Sequence, residues 1–98
     1  MREASIEQSM RIRLQKMGCL VYKFVSPGNN GVPDRIVITP GGDVIFVELK
    51  TSRGNLRPDQ RVQIRRLSEH HARTVVIHGP EEADNFIREV SYWGRKRR

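Results

Sequence analysis

The tightest constraint on the fold is a pair of apolar segments four residues apart. Arg35-Ile36-Val37-Ile38-Thr39 and Val44-Ile45-Phe46-Val47-Glu48-Leu49-Lys50 are separated by Pro40-Gly41-Gly42-Asp43, so they turn back on one another as a β-hairpin. Successive strand side chains point to opposite faces, and these strands are apolar at consecutive positions, so the hairpin is expected to be covered on both sides. Upstream, Leu20-Val21-Tyr22-Lys23-Phe24-Val25 is rich in β-branched and aromatic residues and reads as another strand. The stretch between, Ser26 to Asp34, has the Pro, Gly and Asn content of a loop.

Helical spacing brackets this hairpin. Ile6, Met10, Leu14 and Met17 form one stripe, Ser5 with Gln8 has the form of a capping box, and Gly18 suits the residue just past the helix. Glu7 lies ~100° round from Ile6, at the margin of that stripe. Thr51 to Arg57 is a polar loop, and Pro58 is placed to open a helix reaching about His70. On that helix Gln60, Ile64, Leu67 and His71 share one stripe, while Arg57, Arg61 and Arg65 share a neighbouring one. Thr74 to His78 is a fourth strand, and Gly79-Pro80 starts a last helix through about Val90. The order is α-β-β-β-α-β-α, an α/β fold with a mixed sheet flanked by helices.

At 98 residues the chain holds one small core and no second domain. Its longest unbroken apolar run is Val44-Ile45-Phe46-Val47, far short of the ~20 residues of a membrane span. The N-terminal Met1-Arg2-Glu3-Ala4-Ser5 lacks the apolar core of a signal peptide, and the lone Cys19 excludes an internal disulfide or a multi-cysteine zinc site. The expectation is a cytoplasmic protein with no membrane partner.

Charge narrows the class of partner. Eighteen Lys and Arg against eleven Asp and Glu leave a net +7, which favours a polyanion, nucleic acid before an acidic membrane surface. Seven basic residues (Lys50, Arg53, Arg57, Arg61, Arg65, Arg66 and Arg73) fall in one segment with two acids, whereas Arg88 stands alone against Glu81, Glu82, Asp84 and Glu89. The tail Arg95-Lys96-Arg97-Arg98 reads equally as a solvated end or as a binding element.

The grouping with chemical content is Asp34 and Glu48-Leu49-Lys50 across the hairpin. Residues two apart on a strand share a face, so Glu48 and Lys50 project together while Leu49 points into the core. Two carboxylates with the Leu49 carbonyl are hard oxygen ligands of the kind that hold Mg²⁺ or Mn²⁺. A lysine beside them could orient a nucleophile or neutralise a phosphate. Gln60 leads an otherwise apolar stripe and needs a polar partner, which such a cluster would supply. Register decides whether the acids meet. Pairing Thr39 with Val44 puts Asp34 opposite Leu49, on the wrong face, whereas a three-residue loop or an irregular lead-in at Pro33-Asp34 restores the match. The plain alternative is a solvated Glu-x-Lys pair and an ordinary turn aspartate.

Gly31-Val32-Pro33-Asp34, Glu48-Leu49-Lys50 and Gln60 on the following helix resemble the PD-(D/E)xK nuclease superfamily and, within it, the VRR-NUC family of virus-type replication-repair nucleases. The likeness is to the stand-alone, minimal members from phages and bacteria and covers nearly the whole chain. It implies a restriction-endonuclease-like core over residues 1–94 with a basic tail at 95–98, in a bacterial cell or a phage-infected bacterial host. It also implies a metal-dependent DNA endonuclease using Mg²⁺ or Mn²⁺, in which Asp34, Glu48 and the Leu49 carbonyl bind the ion, Lys50 positions the water and Gln60 supports the cluster. Glu7 matches the acid that such enzymes carry on their first helix. Minimal members look like homodimeric four-way-junction resolvases, so branched DNA and a second copy of the chain are the implied partners, with no small-molecule substrate.

Arg53, Arg57, Arg61 and Arg65 are the candidate phosphate contacts, because the planar guanidinium matches phosphate oxygens; Arg35 and Lys23 flank the site. Otherwise the arginine run is a solvated helix face. His71 reads as a structural histidine, Cys19 as a buried thiol, and Tyr22, Phe24 and Phe46 as core. Two other functions compete: a non-catalytic nucleic-acid-binding module on a nuclease-like scaffold, and a restriction-type nuclease or nickase subunit. A pure binder has no use for two acids in a basic surface, and a short chain has little room for base-reading loops.

Overall fold

The structure is a computed structural model that describes residues 2–96, with side chains through residue 93. Arg97 and Arg98 of the basic tail lie outside the described residues. The elements run α1 (Glu3–Lys16), β1 (Leu20–Lys23), β2 (Arg35–Ile38), β3 (Val44–Lys50), α2 (Pro58–Glu69), β4 (Arg73–His78) and α3 (Gly79–Lys96). The order is the one the sequence pattern implies. Among the described residues no helix is long and apolar enough to cross a membrane.

The four strands form one mixed sheet in the order β1-β2-β3-β4, antiparallel as far as β3 and parallel between β3 and β4, with α2 as the crossover. Ile38 pairs with Val44, and the Thr39 N–H donates to the Asp43 carbonyl at 2.9 Å, leaving the three residues Pro40-Gly41-Gly42 as the loop. Gly42 takes the left-handed conformation (φ +91°) that such a loop requires. Continued one residue beyond the Arg35–Val47 pair, this register sets Asp34 across from Glu48. The three-residue loop therefore decides the register left open by the sequence.

One face of the sheet holds the core. Val37, Ile45, Val47, Leu49 and Ile77 pack there against Ile6, Met10 and Leu14 of α1 and Ala83, Phe86, Ile87 and Val90 of α3, with Cys19 at the α1–β1 junction. The other face is covered only in part. Packed against β4, α2 reaches Glu48 through Gln60, while Leu20, Tyr22 and Val44 stay about half exposed and the rings of Phe24 and Phe46 meet at a tilt with centroids 5.5 Å apart. Cover on both faces and a core role for Tyr22 are thus not what the structure shows, because one crossover helix cannot span a four-stranded sheet and an antiparallel edge tolerates water on one side.

Three local readings also change. α1 begins at Glu3 with Arg2 as the N-cap, so Ser5 lies inside the first turn and caps nothing, and Glu3 stands near the positive end of the helix dipole. α3 continues past Val90, and Trp93 packs against the core while the Arg73 guanidinium sits 4.3 Å above its ring. His71 is exposed just beyond α2 at φ +61°, off the buried stripe.

The loop from Ser26 to Asp34 is seated on α2 through Gly31. At φ +90° a side chain there would be strained, and a Cβ would come within 2.5 Å of the Asp59 backbone. Gly28 has a similar φ (+82°) but faces open space. Gly28→Ala is therefore expected to cost ~1 kcal/mol from backbone strain alone, and Gly31→Ala ~3 kcal/mol or more because α2 must also give way. Urea denaturation of the two variants checks this; equal losses would mean that the loop does not rest on α2.

Candidate active site

The end of the hairpin and the first turn of α1 bring three acids together. Carboxylate oxygens of Glu3, Asp34 and Glu48 all lie within 4.8 Å of one another. Asp34 arrives there through the hairpin register, Glu48 because it occupies the fifth position of the central strand β3, and Glu3 because α1 starts early. Glu48 is 1 % exposed, an unusual place for a carboxylate.

Two groups engage Glu48, one from α2 and one from its own strand. The Gln60 side-chain amide donates to Glu48 Oε2 at 3.3 Å, and its oxygen accepts the Arg57 N–H at 2.9 Å, so one buried side chain both caps α2 and holds the acid. Lys50 Nζ stands 4.0 Å from the same Oε2, with only 12 % of its side chain exposed. Glu48 Oε1 is buried and has no hydrogen-bond partner among the described residues. Burial, above all, pushes the Glu48 carboxyl up to about 8. The nearby Asp34 carboxylate adds to the rise, Glu3 adds a little, and Lys50 opposes it.

An orphaned carboxylate oxygen amid two more acids is a costly arrangement without a cation. The donor set is all oxygen, the class that suits Mg²⁺ or Mn²⁺. These residues fit a divalent ion, and Glu3-Asp34-Glu48 is the group among the described residues that could hold one. His70, His71 and His78 take no part in it: His70 Nδ1 meets the Arg66 carbonyl and His78 faces Glu82.

Of the residues singled out from the sequence, Asp34, Glu48, Lys50 and Gln60 are brought together, with Leu49 between the two site residues of β3 and its side chain in the core. Glu7 is placed elsewhere: its carboxylate pairs with Arg35 at 3.0 Å and Arg11 at 3.3 Å, and the α1 acid in the cluster is Glu3, one turn earlier. Starting the helix at Ser5 leaves Glu3 outside it, which hides the acid; its spacing of four from Glu7 was the available signal. Arg53, Arg57, Arg61 and Arg65 are exposed, Arg57 pairing with Asp59. Lys23 is exposed as well, whereas the Arg35 side chain is 21 % exposed and its guanidinium is already engaged.

Known proteins resemble this chain in sequence and in fold. The family model of the VRR-NUC domain matches residues 20–81. A curated protein of Acyrthosiphon pisum secondary endosymbiont phage 1, "Putative nuclease p44", is 55 % identical over 49 residues, covering 50 % of this chain and 53 % of its own. The match thus spans about half the length of that relative. A solved VRR-NUC domain superposes with a TM-score of 0.82 at 29 % identity over 88 % of this chain and 94 % of its own. A second, at 15 % identity and a TM-score of 0.72 over 92 % and 88 % of the two chains, shares the fold.

The raised Glu48 carboxyl carries a pH signature. Between its ordinary value of 4.5 and about 8, the folded protein keeps a proton that the unfolded chain has released. The contribution of Glu48 to the stability of the metal-free protein is full below that window and is lost as pH rises through it. In EDTA, the thermal midpoint of wild type relative to Glu48→Gln is expected to drop between about pH 5 and pH 8. A difference that grows or stays level would mean that Glu48 is ionised in the apo protein.

Proposed function

The chain belongs to the VRR-NUC domain family of nucleases, and from that premise we propose that it is a divalent-metal-dependent DNA endonuclease acting on branched, four-way DNA. The observation that carries the metal reading is the buried Glu48 oxygen with no donor, set among Asp34 and Glu3 and beside Lys50. Glu3, Asp34, Glu48 and the Leu49 carbonyl would hold the ion, which is Mg²⁺ or Mn²⁺ by the chemistry of its ligands. A divalent cation supplies Lewis-acid polarisation of the phosphoryl oxygen and a more acidic water when bound.

The chain's own residues supply the rest. Lys50, nearly buried, presents its ammonium beside the acids, where it holds the attacking water or a phosphoryl oxygen and offsets the negative charge that builds on the phosphoryl oxygens. Gln60 fixes the rotamer of Glu48, and through it the acid is tied to the N-terminus of α2. Water oxygen attacks phosphorus and gives up a proton to solvent, the phosphorus–oxygen bond to the leaving strand breaks, and the departing strand oxygen takes up a proton from solvent.

Substrate binding falls to the exposed arginines. Arg57 at the N-cap and Arg61 and Arg65 within α2 recur at four-residue spacing, with Arg53 in the loop leading to the helix, so one helix face offers cations to successive phosphates. The branched substrate comes with the likeness to the stand-alone, minimal members of the family. A second copy of the chain would double both the grip on the backbone and the number of cutting sites, giving symmetric cuts.

The test is cleavage of a labelled four-way junction beside linear duplex and single strand, in Mg²⁺, Mn²⁺ or EDTA. Lys50→Ala and Asp34→Asn are expected to lose about 10²–10⁴-fold in rate while junction affinity in EDTA stays within a few-fold. Activity in EDTA would sink the metal reading, and equal cutting of all three substrates the branch preference. Tight binding without cutting under any metal would make the chain a binding module. In a separate titration, Arg57→Ala with Arg61→Ala is expected to lower the slope of log affinity against log salt by about 2, which an unchanged slope would contradict.

A further inference from the structure

Glu7 and Arg35 lie beside the acidic cluster without entering it, and they hold each other. Arg35 Nε donates to Glu7 Oε2 at 3.0 Å, and Arg35 Nη1 donates to the backbone carbonyl of Asp34, also at 3.0 Å. The two side chains are only 14 % and 21 % exposed, so the pair is shielded more than a surface ion pair. The Asp34 carbonyl takes a second hydrogen bond, from the Phe24 N–H at 2.8 Å. Its peptide is thereby held from the residue just past β1 on one side and from α1, through Arg35, on the other.

The consequence lies on α1. Glu3 and Glu7 are four residues apart, on neighbouring positions of one helix face. Fixing Glu7 fixes the rotation and axial position of the helix turn that carries Glu3, and one residue of slip would turn that acid ~100° and move it ~1.5 Å. The same guanidinium that fixes Glu7 fixes Asp34. We propose that Glu7 and Arg35 are a positioning pair that sets the spacing between Glu3 and Asp34, so that the acids of α1, of the loop entering β2 and of β3 accept one divalent cation. This assigns Arg35 to the architecture of the site and not to a DNA phosphate, and it rests on the metal-dependent reading above.

Arginine is the residue this task requires. Its rigid fork aims two N–H groups at two different acceptors, whereas a lysine is a point charge on a flexible stem. Arg11, at 3.3 Å from Glu7, gives the carboxylate a second cation, which further commits Glu7 to its own pair.

The experiment is Mn²⁺ titration by calorimetry of wild type, Glu7→Ala, Arg35→Lys, their double variant and Glu3→Gln, each at a temperature where it is fully folded, with DNA affinity measured in parallel in EDTA. Each single change is expected to weaken Mn²⁺ binding about 10- to 100-fold, as loss of groups that orient metal ligands does. The double variant is expected to bind no more weakly than the worse single, because the two residues act as one unit. DNA affinity in EDTA and its salt slope are expected to stay at wild-type values. Wild-type Mn²⁺ affinity in the folded single variants would overturn the proposal and make the pair a stabilising contact alone. A salt slope lowered by about one in Arg35→Lys would overturn it in favour of a phosphate contact. Absence of Mn²⁺ uptake by wild type would instead overturn the metal reading itself.

Discussion

Like charge forced into a buried space is the condition around which this molecule is arranged. Glu48 stands on the central strand with 1 % of its surface exposed, and carboxylates of Asp34 and Glu3 lie within 4.8 Å. Left to itself, such a group stays protonated, which is the direction its carboxyl is pushed. Lys50 and Gln60 offset part of that cost but leave one oxygen without a donor. A site that is strained when empty and relieved when it holds a cation is a common cost of function, met here by the apolar core on the opposite face of the sheet.

Several residues serve two purposes, as a short chain demands. α1 buries Ile6, Met10 and Leu14 against the sheet and, at the margin of that stripe, carries Glu3 to the cluster and Glu7 to Arg35. Gln60 caps α2 and holds Glu48, so the helix that presents the arginines is anchored to the acid it serves. Gly31, pressed against the Asp59 backbone, seats the Asp34 loop on that same helix. The functional elements thus meet at one corner, where β2, β3, α1 and α2 converge.

Much of this is legible without coordinates. The order of elements follows from alternating apolar runs and turn residues, and Pro58 marks the start of α2 where the structure has it. Glu48 and Lys50 share a strand face by periodicity alone, and the structure has them 4.0 Å apart. Asp34 was legible only conditionally, since a one-residue change in loop length moves it to the other face; the Thr39–Asp43 hydrogen bond settles that choice. Glu3 was not legible, because the capping signal at Ser5 pointed to a later helix start and short-range cap preferences are weak against tertiary contacts.

Sequence alone determined what depends on neighbours along the chain: the hairpin, the two-residue spacing of Glu48 and Lys50, the arginine stripe and the net +7. Only the tertiary structure decided what depends on how elements are turned toward one another. It chose Glu3 over Glu7 for the acidic cluster, engaged Arg35 with Glu7 and the Asp34 carbonyl, and left Tyr22 on a half-open sheet face. The physical reason is one of scale. A helix turns ~100° per residue, so a slip too small to alter any local pattern redirects a side chain entirely, and only packing against the sheet fixes that angle.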